Sequence, residues 1–221
     1  MENKNENAKK IKQTETVYWD AIHESFDKDE IIYDGWLQRF SKEINECDTP
    51  IIDLGCGRGN DTKYLIELGK EVIPCDYSSI AIESIKKNFP GIKLSKCFDM
   101  KEGLPFDDEY TNIIIADLSL HYFSEKETRK ILDEIKRVLR KEGILLFRVN
   151  SLKDINYGVG QGIEIERHYY KTSDGIFKRF FDKKDIELFF DAWEIFFINE
   201  EQMTRYEKPK IVWTVACKVK K

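Results

Sequence analysis

A glycine-rich stretch at residues 51–61, IIDLGCGRGND, holds the residues that point most directly to chemistry. Three glycines, Gly55, Gly57 and Gly59, occupy alternate positions after a short apolar run, and Asp53 lies just ahead of them. Glycine lets the backbone adopt positive φ and approach a ligand where a Cβ atom would collide. The spacing therefore predicts a tight strand-to-helix turn that holds a ligand against the backbone.

The residues around this turn narrow the type of ligand. Asp76 ends the next strand-like segment, where a carboxylate can accept hydrogen bonds from both hydroxyls of a ribose. A dinucleotide-binding fingerprint, G-x-G-x-x-G, would need a third glycine where this chain has Asn60. Asp53 and Asp61 also put negative charge where a pyrophosphate favours positive surroundings. The pattern favours a ligand that resembles adenosine and carries positive charge.

The elements that would position this turn alternate along the chain. Strand-like and helix-like segments follow each other up to residue 150, which is typical of a parallel sheet in an α/β protein. The last third favours antiparallel strands, including a pair about an Asp174-Gly175 turn. The sequence therefore predicts an α/β fold with a doubly wound, mostly parallel sheet and an antiparallel C-terminal edge. In such sheets ligands bind at the carboxyl ends of the strands.

One helix is marked by signals at both ends. The segment SEKETRKILDEIKRVLRKEG has Ser124 as its N-cap and Glu127 at the capping-box position. Gly143 is the predicted end of this helix.

The chain contains no low-complexity linker that would divide it. We expect residues 1–221 to form a single domain, with a flexible polar lead at 1–13 and two front helices within 14–46. Residues 151–182 are expected to form an insertion on the substrate side.

Composition and charge argue against several classes of protein. The 221 residues carry a net charge of -5 and a pI near 5.5, which gives no electrostatic footprint for nucleic acid. No apolar run approaches the roughly 20 residues that a membrane helix needs, and the N-terminus lacks the apolar core of a secretory signal. Five scattered cysteines without a C-x-x-C pair, and only three histidines, favour a reducing cytoplasm and no metal site.

Several motifs together resemble a known family. DLGCGRG after a strand, the acid Asp76, the acid Asp99 and the segment ADLSLHYF are similar to the class I S-adenosylmethionine-dependent methyltransferases, in particular the small single-domain bacterial type. The likeness covers roughly residues 45–150, and the order of elements through residue 221 agrees with it. It implies a Rossmann-like class I methyltransferase fold, S-adenosyl-L-methionine as cofactor and S-adenosyl-L-homocysteine as product.

The resemblance also implies cofactor-binding roles. The residues implied around the methionine portion and the methyl group are Asp53, Gly55, Cys56, Gly57, Gly59, Asp117, Leu118 and Ser119. Those implied around the ribose and adenine are Asp76, Tyr77, Ser78, Asp99 and Met100. Asp76 would hold the ribose hydroxyls, and Asp99 would accept from the adenine amino group. Tyr18 and Trp19 would close over the cofactor, although the same residues could simply pack into the core.

The methyl group of a sulfonium is already activated, so the protein mainly has to align the acceptor and exclude water. His121 follows the fourth strand at the crevice and is the candidate general base, or else it shapes the pocket together with Tyr122. The substrate candidates in the insertion are Tyr157, His168, Tyr169, Tyr170 and Arg179. Because side chains alternate along a hairpin, only half of those on it can face the pocket.

The sequence favours methyl transfer to a small-molecule acceptor and leaves other functions open. The Asn/Asp-Pro-Pro-Tyr/Phe segment typical of exocyclic-amine base methylation is absent, and ADLSL stands in its place. A nucleic-acid or protein acceptor, a nucleotide-cofactor oxidoreductase (disfavoured by Asn60) and a cofactor-binding protein without turnover are the alternatives. Neither the acceptor atom nor the oligomeric state follows from these patterns.

Overall fold

The computed structural model describes residues 16–24 and 31–220. In chain order the strands are β1 (Ile51–Leu54), β2 (Val72–Asp76), β3 (Lys96–Cys97), β4 (Thr111–Asp117), β5 (Leu139–Asn150), β6 (Ile163–Glu166), β7 (Tyr169–Lys171), β8 (Phe177–Arg179), β9 (Trp193–Met203) and β10 (Lys210–Val219). The helices are α1 (16–24), α2 (Ser41–Glu46), α3 (Asn60–Glu67), α4 (Ser79–Asn88), α5 (Glu125–Val138) and α6 (Lys183–Phe189). Short 3-10 turns lie at Trp36–Phe40, Met100–Glu102 and Ile155–Tyr157.

The large sheet has the strand order β3-β2-β1-β4-β5-β10-β9. β1 pairs in parallel with both β2 and β4, so the strand order switches direction here and opens a crevice at the carboxyl ends of these strands. β10 is antiparallel to both β5 and β9. The predicted doubly wound, mostly parallel sheet with an antiparallel C-terminal edge is confirmed.

Apolar side chains fill both faces of the central strands. Ile52 of β1 packs in the cluster that contains Ile131 of α5, whereas Ile51 packs in the cluster that contains Leu37 and Leu65. This alternation follows from the two-residue period of a strand. Burying side chains of this size contributes roughly 1.5–3 kcal/mol each, so the strand ends that carry the site are held by a core on each side.

Helix α5 begins as predicted and ends earlier. Ser124 accepts a hydrogen bond from the backbone N–H of Glu127, whose carboxylate accepts from that of Ser124 at 2.9 Å, so the predicted capping box is present. The predicted end at Gly143 is wrong, because the chain enters β5 directly at Leu139. Leu139 pairs with Thr111 of β4, and pairing in the sheet outweighs the helical periodicity of the charged residues that follow.

The predicted insertion at 151–182 contains a second sheet, with the order β6-β7-β8. β7 and β8 are antiparallel and flank the predicted Asp174-Gly175 turn, in which Gly175 has a φ of 85°. The carboxyl edge of the large sheet and this second sheet are joined by a parallel bridge between Ser151 and Phe181.

Within the predicted front-helix region, 14–46, the structure shows α1 and a 3-10 turn that continues into α2. The predicted flexible lead at 1–13 lies outside the described residues. None of the helices in the described ranges combines the length and the apolar character needed to cross a membrane.

Candidate functional site

The glycine-rich turn connects the carboxyl end of β1 to α3. Gly55, Gly57 and Gly59 have φ values of 79°, 50° and 85°, in the left-handed region that favours glycine. A Cβ atom on Gly55 would lie 2.3 Å from Cβ of Ser119, and one on Gly59 would lie 2.6 Å from Cδ1 of Ile85. Packing therefore requires glycine at these two positions.

Asp76, at the end of β2, lies directly beside the turn. Its Oδ2 accepts from the backbone N–H of Gly57 at 2.8 Å, and its Oδ1 accepts from that of Ser78 at 2.9 Å. An ionised carboxylate has about four acceptor sites, so each oxygen can accept a further hydrogen bond. A Cβ on Gly57 would lie 3.5 Å from Cε1 of His23 in α1. The turn, Asp76 and α1 thus border one space whose chemistry suits a ribose.

Asp99 follows β3 and caps the 3-10 turn that begins at Met100. Its Oδ1 accepts from the backbone N–H of Lys101 at 2.9 Å. Asp99 and Met100 are both buried, and the N–H of Phe98 donates to the carbonyl of Asp76 at 3.0 Å. The structure therefore brings the predicted adenine residues next to the predicted ribose acid.

The carboxyl end of β4 carries buried ion pairs. Asp117 accepts from Nε and Nη2 of Arg148 at 2.7 and 2.8 Å, and from Nη2 of Arg205 at 2.8 Å. Burial alone would raise the pKa of Asp117, but the two guanidinium groups hold it well below its usual range. The next residue, Leu118, has a φ of 56°, which is uncommon outside glycine. Oγ of Ser119 donates to the carbonyl at the end of β1 at 2.7 Å. The Asp117 carboxylate is therefore committed to anchoring the strand end.

The ion-pair network continues beneath the glycine turn. Nη1 of Arg148 donates to Asp34 at 2.8 Å, and its guanidinium carbon lies 4.7 Å from the ring centre of Trp36. Nε1 of Trp36 in turn donates to Asp61 at 2.8 Å. The sequence patterns above did not identify this network. The available signal was an arginine inside the buried strand segment ILLFRVN, since a charged residue is rarely buried without partners.

Two buried carboxyl groups near the glycine turn can ionise only at a cost. Asp53 is only 2% exposed and accepts from Oγ1 of Thr62 at 2.5 Å. Burial, together with the charges of Asp117 and Asp76, raises the pKa of Asp53 to about 7. Burial and neighbouring carboxylates also raise the pKa of Asp61 well above its usual value. A bound cation would relieve this repulsion, so the residues present fit a cofactor that carries sulfonium and ammonium charges.

Helix α1 lies across the crevice. Asp20 accepts from Oγ of Ser78 at 2.5 Å, and the ring of Trp19 packs edge-on against Tyr122 with centroids 4.8 Å apart. Nδ1 of His23 is buried and has no hydrogen-bond partner within the described ranges. Spacings of three and four residues place these side chains on one face of the helix, so α1 contacts residues from both β2 and the region after β4.

Two further hydrogen bonds stabilise the first turn of α1. The hydroxyls of Thr16 and Tyr77 share a hydrogen bond of 2.6 Å. The hydroxyl of Tyr18 bonds to Asp174 at the tip of the β7–β8 hairpin. Of the two predicted aromatic closures, Trp19 therefore lies over the crevice, and Tyr18 reaches toward the insertion.

His121 lies beside Tyr122, with ring centroids 4.2 Å apart and 2% of its surface exposed. Its Nδ1 is buried and has no hydrogen-bond partner in the described part of the chain. Burial lowers the pKa of His121 well below its usual value, and the charges of Lys210 and Lys178 lower it further. The imidazole is therefore neutral near pH 7, which is the protonation state that a general base needs.

The connection between β9 and β10 contributes residues that the sequence patterns did not identify. Nζ of Lys210 lies 4.7 Å from the ring centre of Tyr157 and 5.6 Å from that of Tyr206. The two tyrosine rings are 5.3 Å apart, and the hydroxyl of Tyr157 donates to the carbonyl of Lys208 at 3.2 Å. Of the predicted substrate residues, Tyr157 thus joins a cluster whose other members come from a distant segment.

Two other predicted substrate residues, Tyr169 and Arg179, face α6. The Arg179 guanidinium lies 4.8 Å from the ring centre of Tyr169 and 5.1 Å from that of Phe189, and it pairs with Glu166 at 2.5 Å. The Tyr169 hydroxyl donates to the carbonyl of Tyr122 at 3.1 Å. These side chains therefore pack against α6 and the backbone of Tyr122. The Arg179 guanidinium does not lie beside the His121 ring.

His168 lies in an ion cluster at the start of α6. Ligand-type atoms of His168, Asp182 and Asp185 lie within 4.8 Å of one another. Nδ1 of His168 bonds to Asp185 at 2.7 Å, and Arg167 pairs with Asp182 at 2.9 Å and with Asp185 at 3.1 Å. The arginine already neutralises the carboxylates, so the cluster fixes the helix start.

Comparisons with known proteins agree on the family. A family model described as a methyltransferase domain matches residues 52–147. The tRNA N(3)-methylcytidine methyltransferase Mettl2 of Drosophila melanogaster is 30% identical over 148 residues, which cover 62% of this chain and 45% of that protein. The putative methyltransferase YqeM of Bacillus subtilis (strain 168) is 34% identical over 124 residues, which cover 54% of this chain and 49% of that protein. The chain thus spans about half the length of these curated relatives.

A solved structure shows the same fold over nearly the whole chain. The 1,6-didemethyltoxoflavin-N1-methyltransferase of Burkholderia thailandensis, with bound 1,6-didemethyltoxoflavin and S-adenosylhomocysteine, has a TM-score of 0.69 and 14% identity. The match covers 98% of this chain and 90% of that one. The predicted resemblance is confirmed, and with it S-adenosylmethionine as the cofactor of the family. Residues 52–147 thus match a methyltransferase domain, and the whole chain has the fold of the class I S-adenosylmethionine-dependent methyltransferases.

Proposed function

We propose that this protein transfers the methyl group of S-adenosyl-L-methionine to a small-molecule acceptor. The observation that carries the proposal is the buried, neutral imidazole of His121, which lies beside Tyr122 just after the carboxyl end of β4. Trp19 covers Tyr122 from α1, so an acceptor at this place would be surrounded by aromatic rings and shielded from water. An enclosed aromatic site suits a small planar molecule.

The geometry of the crevice supports the cofactor roles. Asp76 would accept from the ribose hydroxyls, because both of its oxygens face backbone donors and keep acceptor capacity. Asp99 and Met100 would contact the adenine. Asp53 would face the ammonium of the methionine portion, since its carboxyl is held at the end of β1 close to two other acids.

The reaction needs alignment more than activation. When bound, the cofactor supplies a methyl group activated by positively charged sulfur. The glycine turn, Asp76 and Asp99 would hold the cofactor so that a lone pair of the acceptor could displace sulfur from the methyl carbon, and the electron pair of the broken bond would stay on sulfur. His121 takes the proton that the acceptor loses, a contribution of roughly 10²–10⁴-fold. Trp19 and Tyr122 orient the acceptor and exclude water.

A second candidate acceptor is a base of tRNA. One observation favours it, namely that the relative Mettl2 is named as a tRNA methyltransferase and matches 62% of this chain. The net charge of -5 and the enclosed aromatic surroundings of His121 favour the small molecule instead.

We further propose that the protein works in the cytoplasm. Cys47, Cys56, Cys75 and Cys217 are buried as free thiols, and thiols persist in reducing compartments.

Calorimetry tests the cofactor site. S-adenosylhomocysteine is titrated into the wild type, into Asp76→Asn and into Asp107→Asn, whose side chain is exposed. We expect the Asp76 variant to bind at least tenfold more weakly, or about 1.4 kcal/mol, and the Asp107 variant to match the wild type. Equal binding by all three proteins would contradict the assigned site.

Transfer of a labelled methyl group tests the acceptor. The protein is incubated with methyl-labelled cofactor and either a small-metabolite extract or total tRNA. Label in a small molecule supports the proposal, and label in tRNA favours the second candidate. His121→Gln should reduce kcat by about 10²-fold or more while leaving the affinity for S-adenosylhomocysteine unchanged. An unchanged kcat would remove His121 from the chemistry.

A further inference from the structure

The β7–β8 hairpin has two faces that carry different cations. Tyr169 pairs in register with Arg179, and Tyr170 pairs with Lys178. Successive side chains of a strand point to opposite faces. Because the Arg179 side chain is buried against Phe189 of α6, the neighbouring Lys178 side chain lies on the opposite face.

That opposite face borders the His121 site. The backbone N–H of Arg179 donates to the carbonyl of His121 at 2.7 Å, which places β8 directly beside this residue. The charge of Lys178 lowers the pKa of both His121 and Lys210, as expected of a cation close to both. The hairpin tip is tied to α1 through Asp174. Lys178 therefore stands in the wall that surrounds the proposed acceptor.

Lys178 differs from the other cations of this wall. Lys210 and Arg205 each donate to a buried aspartate, at distances of 2.9 and 2.8 Å. Lys178 has no ion pair within 4 Å among the residues that the structure describes. Asp174, an acid near it, already bonds to the hydroxyls of Thr172 and Tyr18. The wall thus contains one cation whose charge is not matched by a bound carboxylate.

We propose that Lys178 makes the site selective for an acceptor that carries a negative charge, namely a small planar acid such as an aromatic carboxylate. This inference rests on the proposed function of the same site. The rings of Tyr122, Tyr157 and Tyr206 provide flat surface for the planar part of the acceptor. Lys178 provides the counter-charge, because a carboxylate that leaves water for a partly buried site is costly without a paired cation.

The proposal separates charged acceptors from neutral ones. A neutral small molecule would leave Lys178 without a partner and gain nothing from it. An acid would gain a charge-assisted hydrogen bond of the kind that is roughly twice as strong as a neutral one. Lys178 is in this view a specificity residue, while His121 acts on the proton.

Fluorescence quenching tests the charge of the wall without knowledge of the acceptor. Iodide and acrylamide quench tryptophan by contact, the first as an anion and the second as a neutral molecule. Trp19 reports on this wall, since it packs against Tyr122, and Trp19→Phe supplies the background of the other tryptophans. Quenching is measured both with and without S-adenosylhomocysteine.

We expect Lys178→Gln to lower iodide quenching of Trp19 at least twofold and to leave acrylamide quenching unchanged. Lys184→Gln, an exposed lysine on α6, is the matched control and should change neither. Iodide quenching that is the same in the wild type and in Lys178→Gln would overturn the proposal.

A second experiment compares the turnover of an acidic acceptor with that of its neutral amide. The probes are 4-hydroxybenzoate and its neutral carboxamide, followed by the same acid-and-amide pairing for any acceptor that the labelling experiment finds. Lys178→Gln should raise KM for the acid about tenfold with little change in kcat, and should leave the amide unaffected. Preference for the neutral member or for RNA would overturn the proposal. A wild type that binds no S-adenosylhomocysteine would instead overturn the proposed function, whereas the quenching result would still decide the charge of the wall.

Discussion

The cofactor side and the acceptor side of the crevice are built in different ways. The cofactor side comprises the glycine turn and the ends of β2 and β3, and it derives from one continuous stretch of chain, residues 53–100. The proposed acceptor side comprises His121, the β7–β8 hairpin and the β9–β10 connection, which are far apart in sequence. The first presents backbone groups and buried acids, and the second presents aromatic rings and cations.

This difference shows how one fold keeps a constant cofactor while its acceptor varies. The cofactor side lies on the parallel strands of the core, whose side chains are packed on both faces of the sheet. The acceptor side lies on segments that pack mainly against the edge of the sheet and against each other. Acceptor specificity, which varies, therefore depends on segments that tolerate substitution.

The ion pairs of Arg148 lie between the two sides. Breaking them should lower the free energy of unfolding more than any of the other substitutions does. Arg148→Met leaves the buried carboxylates of Asp117 and Asp34 without their main partner, which typically costs about 3–5 kcal/mol. Arg140→Met, on an exposed residue of β5, should cost far less. Urea unfolding of both variants measures the difference. A loss for Arg148→Met no greater than that of the control would show that the network is dispensable.

The glycine turn offers a sharper test of the cofactor side. Gly55→Ala and Gly69→Ala both place a Cβ at positive φ, which costs roughly 1–2 kcal/mol. The new Cβ at Gly55 would also collide with Ser119, whereas none of the described atoms lies within 4 Å of the one at Gly69. We therefore expect Gly55→Ala to lower the free energy of unfolding by about 1–3 kcal/mol more than Gly69→Ala does. We also expect Gly55→Ala to lose cofactor binding. Equal losses of unfolding free energy would mean that the turn can shift.

The pH dependence of the free energy of unfolding should show the smallest effect, and it separates the buried carboxyl of Asp53 from an exposed one. The folded state holds the proton of Asp53 up to pH about 7, whereas the unfolded chain loses it near 3.8. Between these values the folded state binds more protons, so the free energy of unfolding falls as pH rises. This fall amounts to at most about 1.4 kcal/mol per pH unit, and Asp53→Asn should remove it. Denaturation measured between pH 5 and 8 gives the slope of the free energy of unfolding against pH, and Asp107→Asn should keep the wild-type slope. A wild-type slope in Asp53→Asn as well would refute the assigned protonation of Asp53.

Much of the cofactor side could be predicted from the sequence, because its determinants are local. The turn glycines and Asp76 each follow a strand whose apolar run is visible in the sequence, Asp99 follows the short β3, and parallel strands bring their carboxyl ends to one edge. The network around Arg148 could not be predicted in this way. Its partners lie in segments whose proximity arises only when β4, β5 and the β9–β10 connection come together.

The acceptor side was predictable only in outline. The segment FKRF places Lys178 and Arg179 next to each other, and the alternation of a strand guarantees that they face opposite ways. Which one faces His121 depends on the register between β7 and β8 and on the packing of α6, and these are properties of the whole fold. The sequence patterns named Arg179, and the structure places Lys178 on that side.

Helix α1 is bonded to both sides at once, through Tyr77 and Ser78 on one and through Tyr122 and Asp174 on the other. Neither side can therefore open without strain on the contacts of the other. If both ligands of the proposed reaction bind beneath α1, we expect each to change the affinity of the other, and by thermodynamic reciprocity the change is equal in both directions.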